Sequence, residues 1–369
     1  MVLRIVQLAN FYSPISGGLR TVVDTLGRGY LARGHERVLV VPGHRRARRR
    51  TDAGLEITLP GVPVSGGYRV VPRSSAILRL LDELSTEPMA IEVSDKTTML
   101  AVGRWARGRG VPALLFSHER LDQWVAARLP RLWRGGSAIV APAVRTWNRG
   151  VVSRFDTLVV TSAYAEREFA GLPVRTLRRI PLGVDLDTFR PAPRRHDPGP
   201  ARLVYAGRLS PEKNPGAVIG AVGELVRAGR PVRLDVYGDG PELGALRRAA
   251  RDLPVTFHGH VADRATLAAA LVASDVAFAP SAAETFGLSI LEAMACGTPV
   301  VAATTGGAPE LLAPGAGVAV APDPAGLAAG ALEVLSWPVA WRRAAARQRA
   351  TLFPWSATIS AMLELHAQE

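Results

Sequence analysis

GRLSPEKNP, residues 207–215, sets Arg208 and Lys213 five positions apart on what reads as a loop between a strand and a helix. Two cations there could clamp a diphosphate through charge-assisted hydrogen bonds; the plainer alternative is a pair of solvated loop charges. The lysine stands out because the chain has only two, Lys96 and Lys213, among 45 basic residues. ETFGLSILEAMACGTPVV, residues 284–301, sets Glu284 and Glu292 eight positions apart around a Phe-Gly turn and a helix start. Carboxylates accept paired hydrogen bonds from vicinal hydroxyls, so a sugar or a ribose is their natural ligand. The amides of Phe286, Gly287 and Leu288, leading that helix, would point at the same pocket. The Gly17–Gly18 pair follows the opening strand and precedes a helix, where the backbone can come close to a phosphate. The full G-x-G-x-x-G fingerprint is absent, so the pair reads equally as a tight turn. His118, in LLFSHERLD, follows another strand; such a histidine, taken alone, is as readily structural as catalytic.

Sheets must hold these loops. The first half opens with LRIVQLAN, a helical LRTVVDTLGRGYLARG and RVLVVPG, which is a βαβ unit, and continues with AIEVS, PALLFSH, TLVVTS and RRIPLGV. After the Pro-rich PAPRRHDPGPA the pattern restarts with RLVYAGRLS, RLDVYGDGPE, VTFHGHV, DVAFAPS, PVVAA and GVAV, with helical stretches between. The expected architecture is α/β, with two Rossmann-like domains of parallel strands. Residues 1–190 form the first, 191–345 the second, and 346–369 a C-terminal helix packing back toward the first.

With 369 residues, 48% of them hydrophobic and 21% charged, the chain has material for two packed cores and no compositional case for disorder. The single cysteine, Cys296, excludes an intrachain disulfide and a cysteine-based zinc site, and a reducing cytoplasm fits. No apolar run approaches the ~20 residues of a membrane span, and MVLRIVQLAN reads as a strand, not a signal peptide. The net charge of +13 is one-sided: residues 1–190 carry 29 Lys+Arg against 16 Asp+Glu. RRARRR at 45–50, and Arg128 to Arg134 with Leu129, Leu132 and Trp133, combine cations with apolar groups that would suit an anionic membrane surface. A solvated arginine-rich loop and an ordinary surface helix are the alternatives. No cluster has metal-ligand spacing, and despite a pI near 11.0 no nucleic-acid module is present.

GRLSPEKNP together with the two glutamates resembles the family-4 retaining glycosyltransferases of GT-B fold, and the resemblance covers nearly the whole chain. It implies two facing Rossmann-like domains with a cleft between them and a nucleotide-sugar donor. Carried over, Arg208 and Lys213 neutralise the diphosphate, Glu284 holds the donor sugar and Glu292 the ribose. Gly18, with Gly17, lets the backbone reach the phosphate, and His118 contacts the sugar near its reacting carbon. No metal or other cofactor is expected, because the two cations take that role. The segments NFYSPISGGLRTVVD, GGYR, EVSD, SHERLD, TLVVTSAYAEREF and PLGVDLDTFRP are most similar to actinobacterial α-mannosyltransferases that use GDP-mannose to build phosphatidylinositol mannosides. The expected partners are therefore GDP-mannose, a lipid or glycolipid acceptor and the inner face of the plasma membrane, with no nucleic acid. Two rivals are a family member using UDP-GlcNAc, UDP-glucose or another donor on a soluble acceptor, and a non-catalytic nucleotide- or nucleic-acid-binding protein.

Overall fold

The computed structural model describes residues 2–13, 17–64, 67–128, 130–193 and 199–368, with the side chains of 124, 126–140 and 368 outside the description. The chain forms two units, Met1–Pro181 with Ser356–Glu369, and Leu182–Trp355.

The first unit is built on an eight-stranded sheet of β1 (Arg4–Leu8), β2 (Glu36–Gly43), β3 (Ala47–Thr51), β4 (Gly54–Pro60), β7 (Met89–Val93), β8 (Ala113–Ser117), β9 (Thr157–Val160) and β10 (Thr176–Arg179). The order is β10-β9-β8-β7-β1-β2-β4-β3, and β5 (Val62–Val64) with β6 (Tyr68–Val70) makes a separate hairpin. All pairings in the large sheet are parallel except β3 with β4. Central strands such as MAIEV and TLVV are buried at every position, as expected where helices cover both faces. One face packs Leu8, Val40, Ile91, Leu115 and Leu158; the other packs Ala9, Val23, Leu39 and Val41. Glu92 on β7, 2% exposed, accepts hydrogen bonds from Gln7 Nε2 at 2.8 Å and the Tyr30 hydroxyl at 2.5 Å, and lies 2.8 Å from His366 Nε2. That contact fastens the final helix, Trp355–Gln368, into this unit.

The second unit has a six-stranded, all-parallel sheet of β11 (Ala201–Ala206), β12 (Val232–Tyr237), β13 (Val255–Gly259), β14 (Val276–Ala279), β15 (Val300–Ala303) and β16 (Gly317–Val320). Its order is β13-β12-β11-β14-β15-β16. Leu203, Tyr205, Leu234, Val276 and Phe278 pack against Val218, Val222, Leu327 and Val334 of the flanking helices.

The passage between units falls at 181/182 and 355/356, whereas sequence punctuation suggests 190/191 and 345/346. The reason is packing of the second unit on Leu182–Phe189. Val184 N donates to Phe353 O at 2.9 Å, and Arg347 Nη1 donates to Phe189 O at 2.8 Å and Ala295 O at 3.0 Å. The helix Val339–Ala350 thus stays with the second unit, and only the helix after it returns to the first. No helix among the described residues is long and apolar enough to cross a membrane.

Candidate active site

In an open parallel sheet, ligands bind beyond the carboxyl ends of the strands where successive connections diverge. In the second unit that point lies between β11, which leads outward to β12, and β14, which leads to β15. The loop after β11 carries Arg208 and Lys213, and the loop after β14 carries Glu284. The topology therefore brings together two motifs more than 70 residues apart: Lys213 Nζ donates to Glu284 Oε2 at 2.6 Å. This pair is partly open, with side-chain exposures of 35% and 22%.

The loop holding them is firmly built. Gly207 N donates to Tyr237 O at 2.9 Å, Leu209 N to Asp239 O at 3.0 Å, and the Tyr205 hydroxyl to Arg208 O at 2.9 Å. Lys213 ends a short turn, Pro211–Lys213, followed by Asn214 in the left-handed region at φ 52°, with its side-chain amide donating to Pro322 O at 2.7 Å. Gly238, at φ 141°, lies so close that a Cβ there would stand 1.9 Å from Gly207 O. Only glycine permits that approach. The G-D-G after β12 is a site-building element that sequence reading passed over, although its signal was visible in RLDVYGDGPE.

Glu284 is fixed through its carbonyl, which accepts from Gly307 N at 2.6 Å. Gly287, at φ 109°, precedes the helix Leu288–Ala295, and Ile290 N and Leu291 N both donate to its carbonyl. The amides of Phe286, Gly287 and Leu288 thus lead the helix and precede its first internal hydrogen bonds. Phe286 itself is core, 4% exposed and edge-on to Phe353 at 6.3 Å, so only its backbone is offered to a ligand. Glu292 lies one turn further on and does not meet Lys213. Arg264 Nη2, which sequence reading missed, donates to its Oε1 at 2.8 Å, and Oε2 has no partner among the described residues. Burial outweighs that guanidinium and holds the Glu292 carboxyl above its ordinary range. Arg264 is itself stacked over Phe189, 4.7 Å from the ring centre. Nothing local in the sequence pairs residues 264 and 292.

In the first unit the connections diverge between β1 and β7. Gly17 and Gly18 form the first turn of the helix Gly17–Leu31. A Cβ at Gly17 would meet no atom within 4 Å. Both glycines are exposed at the start of that helix. His118 follows β8, its ring stacked on Phe116 with centroids 4.4 Å apart. Burial, with a smaller contribution from the Lys96 ammonium, lowers its pKa to about 4 against the pull of Glu92, so the imidazole is neutral near pH 7.

The basic stretch 45–50 is exposed but partly neutralised. It is largely strand β3, not a loop; Arg46 and Arg48 share Glu83 at 2.6 and 3.3 Å, and Arg49 pairs with Glu56 at 3.0 Å. The Arg128–Arg134 patch, with Leu129, Leu132 and Trp133, lies outside the described side chains.

Two Rossmann-type sheets with a cation pair and a carboxylate at a strand-order divergence define the class: a GT-B glycosyltransferase. Residues 16–188 match the family described as Glycosyltransferase Family 4, and residues 200–336 the one described as glycosyl transferases group 1. The chain is 41% identical over 371 residues to a GDP-mannose-dependent alpha-(1-6)-phosphatidylinositol dimannoside mannosyltransferase of Mycobacterium tuberculosis, covering 98% of this chain and 95% of that one. It is 33% identical to a glycogen synthase of the same species, covering 81% and 73%. Among solved structures, sucrose-phosphate synthase from Thermosynechococcus elongatus superposes with a TM-score of 0.80 at 21% identity, covering 99% and 98%. The lipopolysaccharide glycosyltransferase WaaG gives 0.74 at 17% identity, covering 99% and 100%. The chain belongs to glycosyltransferase family 4.

Proposed function

We propose that this enzyme transfers mannose from GDP-mannose, with retention of the α configuration, to a hydroxyl of a phosphatidylinositol mannoside or closely related glycolipid. The observation that carries this reading is the 41% identity, sustained over 98% of the chain, to an enzyme named for that donor and that acceptor class. Arg208 and Lys213 take the donor diphosphate, Glu284 the mannose and Glu292, through Oε2, the ribose. The amides of Phe286, Gly287 and Leu288 and the helix start at Gly17 and Gly18 offer N–H groups to the donor. His118, neutral, accepts or donates a hydrogen bond at a sugar hydroxyl and orients the reacting carbon.

No carboxylate of the donor motif is assigned as a nucleophile, so attack from the leaving-group face fits retention. The acceptor oxygen bonds to the anomeric carbon as the bond to the diphosphate oxygen breaks, and the acceptor proton passes to that phosphate oxygen. Arg208 and Lys213 stabilise the charge that grows there, which is the role a metal would otherwise serve. The exposed arginines of β3 support peripheral attachment to the anionic inner face of the plasma membrane.

Thermal shift against GDP, UDP, ADP and dTDP tests the donor. A ligand at 100 times its Kd, bound only by the native state, stabilises by about 2.7 kcal/mol. GDP should raise the melting temperature most. Labelled mannose from GDP-mannose should then appear in vesicles containing phosphatidylinositol mannoside. Preference for UDP, or transfer only to soluble acceptors, would overturn the proposal.

A further inference from the structure

The loop that carries His118 is gripped from beneath by a buried ion pair. Lys96, after β7, and Glu168, beyond β9, have side-chain exposures of 8% and 2%, with Lys96 Nζ 2.5 Å from Glu168 Oε2. The same ammonium donates to Ser117 Oγ at 3.1 Å and to the Glu119 carbonyl. The other carboxylate oxygen of Glu168 accepts from Leu121 N at 2.8 Å and from Asn148 Nδ2 at 3.2 Å. Lys96 is held in turn, its carbonyl accepting from Trp147 Nε1 at 3.1 Å. The pair therefore fastens residues 117, 119 and 121, and His118 sits between the first two.

Residue type supports a purpose beyond stability. A buried ion pair is poor evidence for stabilisation, since apolar residues of similar volume often do as well or better. An ammonium has three protons in a tripod, and here three acceptors receive them. A planar guanidinium could not reproduce that arrangement. In a chain that carries its positive charge almost wholly as arginine, one of only two lysines occupies this point.

We propose that Lys96 and Glu168 are positioning residues for glycosyl transfer, holding the Ser117–Leu121 loop so that the His118 imidazole meets the donor sugar at a fixed distance. The inference rests on the reading of His118 given above. A misplacement of about 1 Å at a reacting group costs up to ~10²-fold in rate.

The test is a cycle of variants assayed for kcat, donor KM and melting temperature in the full chain. Lys96→Met/Glu168→Gln removes both charges together and leaves no orphan ion. It should lower kcat about 10- to 100-fold with donor KM changed less than about 3-fold. In a His118→Ala background the same double substitution should alter kcat by less than about 2-fold, because groups that act as a unit are not additive. An equal fall in both backgrounds, or a lower melting temperature with unchanged kcat, would overturn the positioning role while leaving His118 in place. Normal kcat in His118→Ala alone would remove the histidine's role and this proposal with it. Should the double variant fail to fold, Lys96→Arg, which keeps the charge opposite Glu168 but not the tripod of donors, replaces it; about a 10-fold loss of kcat that vanishes without His118 is the expected result, and an equal loss in both backgrounds overturns the proposal.

Discussion

Removing the Lys213 ammonium separates a contribution to folding from a contribution to transfer. Its partner lies 2.6 Å away, but both side chains remain partly exposed. Pairs of that kind contribute about 0.2–1 kcal/mol to stability, or at most ~2–4 °C in the melting temperature of a unit of this size. Loss of one preorganised charge stabiliser, by contrast, costs about 2.7–4 kcal/mol in the transition state, equivalent to 10²–10³ in kcat. Lys213→Ala should therefore melt within a few degrees of the parent and turn over at least ~10²-fold more slowly. It also leaves the Glu284 carboxylate facing the donor diphosphate without its counter-cation, so donor KM should rise as well. Adding Glu284→Gln should relieve that repulsion and restore part of KM while kcat stays low. Steady-state release of GDP from GDP-mannose, beside a melting curve, measures all three quantities. A folded Lys213→Ala enzyme with kcat within about 3-fold of the parent would refute the diphosphate assignment.

Glu292→Ala should weaken GDP binding by ~10-fold or more, the loss of hydrogen bonds to a charged acceptor, whereas Glu284→Ala should spare GDP affinity and impair transfer; calorimetry with GDP and then GDP-mannose distinguishes them. The folded His118 titrates at about 4 against an ordinary value of 6.5. Below pH 6.5 the unfolded chain binds a proton there that the folded chain does not, so its stabilising effect is complete above 6.5 and is lost as pH falls toward 4, by up to ~3 kcal/mol. Denaturant melts at pH 7 and 4.5 should show a smaller acid penalty in His118→Phe, and an identical penalty would contradict the burial argument. Sedimentation with acidic vesicles should weaken as salt rises, and Glu83→Gln, by freeing Arg46 and Arg48, should tighten it by ~1 kcal/mol per released charge. No change in that variant would place the lipid contact elsewhere.

Alternating strands and helices made both Rossmann-like halves legible in the sequence, because a parallel sheet buried on both faces demands short apolar runs of the kind seen in MAIEV and TLVV. The placement of Arg208, Lys213, Glu284 and the helix-leading amides on strand-to-helix loops was legible for a related reason: each lies within one strand-loop-helix segment, where local residue type settles the backbone. Tertiary structure decided what such segments do to one another. The strand order alone puts Lys213 on Glu284, Arg264 on Glu292 and Lys96 between Ser117 and Glu168, and residues so far apart in the chain share no periodicity that could announce the contact. It also decided where the units divide. The Pro-rich segment near 191–201 looks like a boundary, yet the chain joins the second unit at Leu182, since Phe189 and its neighbours are held by Arg347, a residue whose partner no local pattern could name.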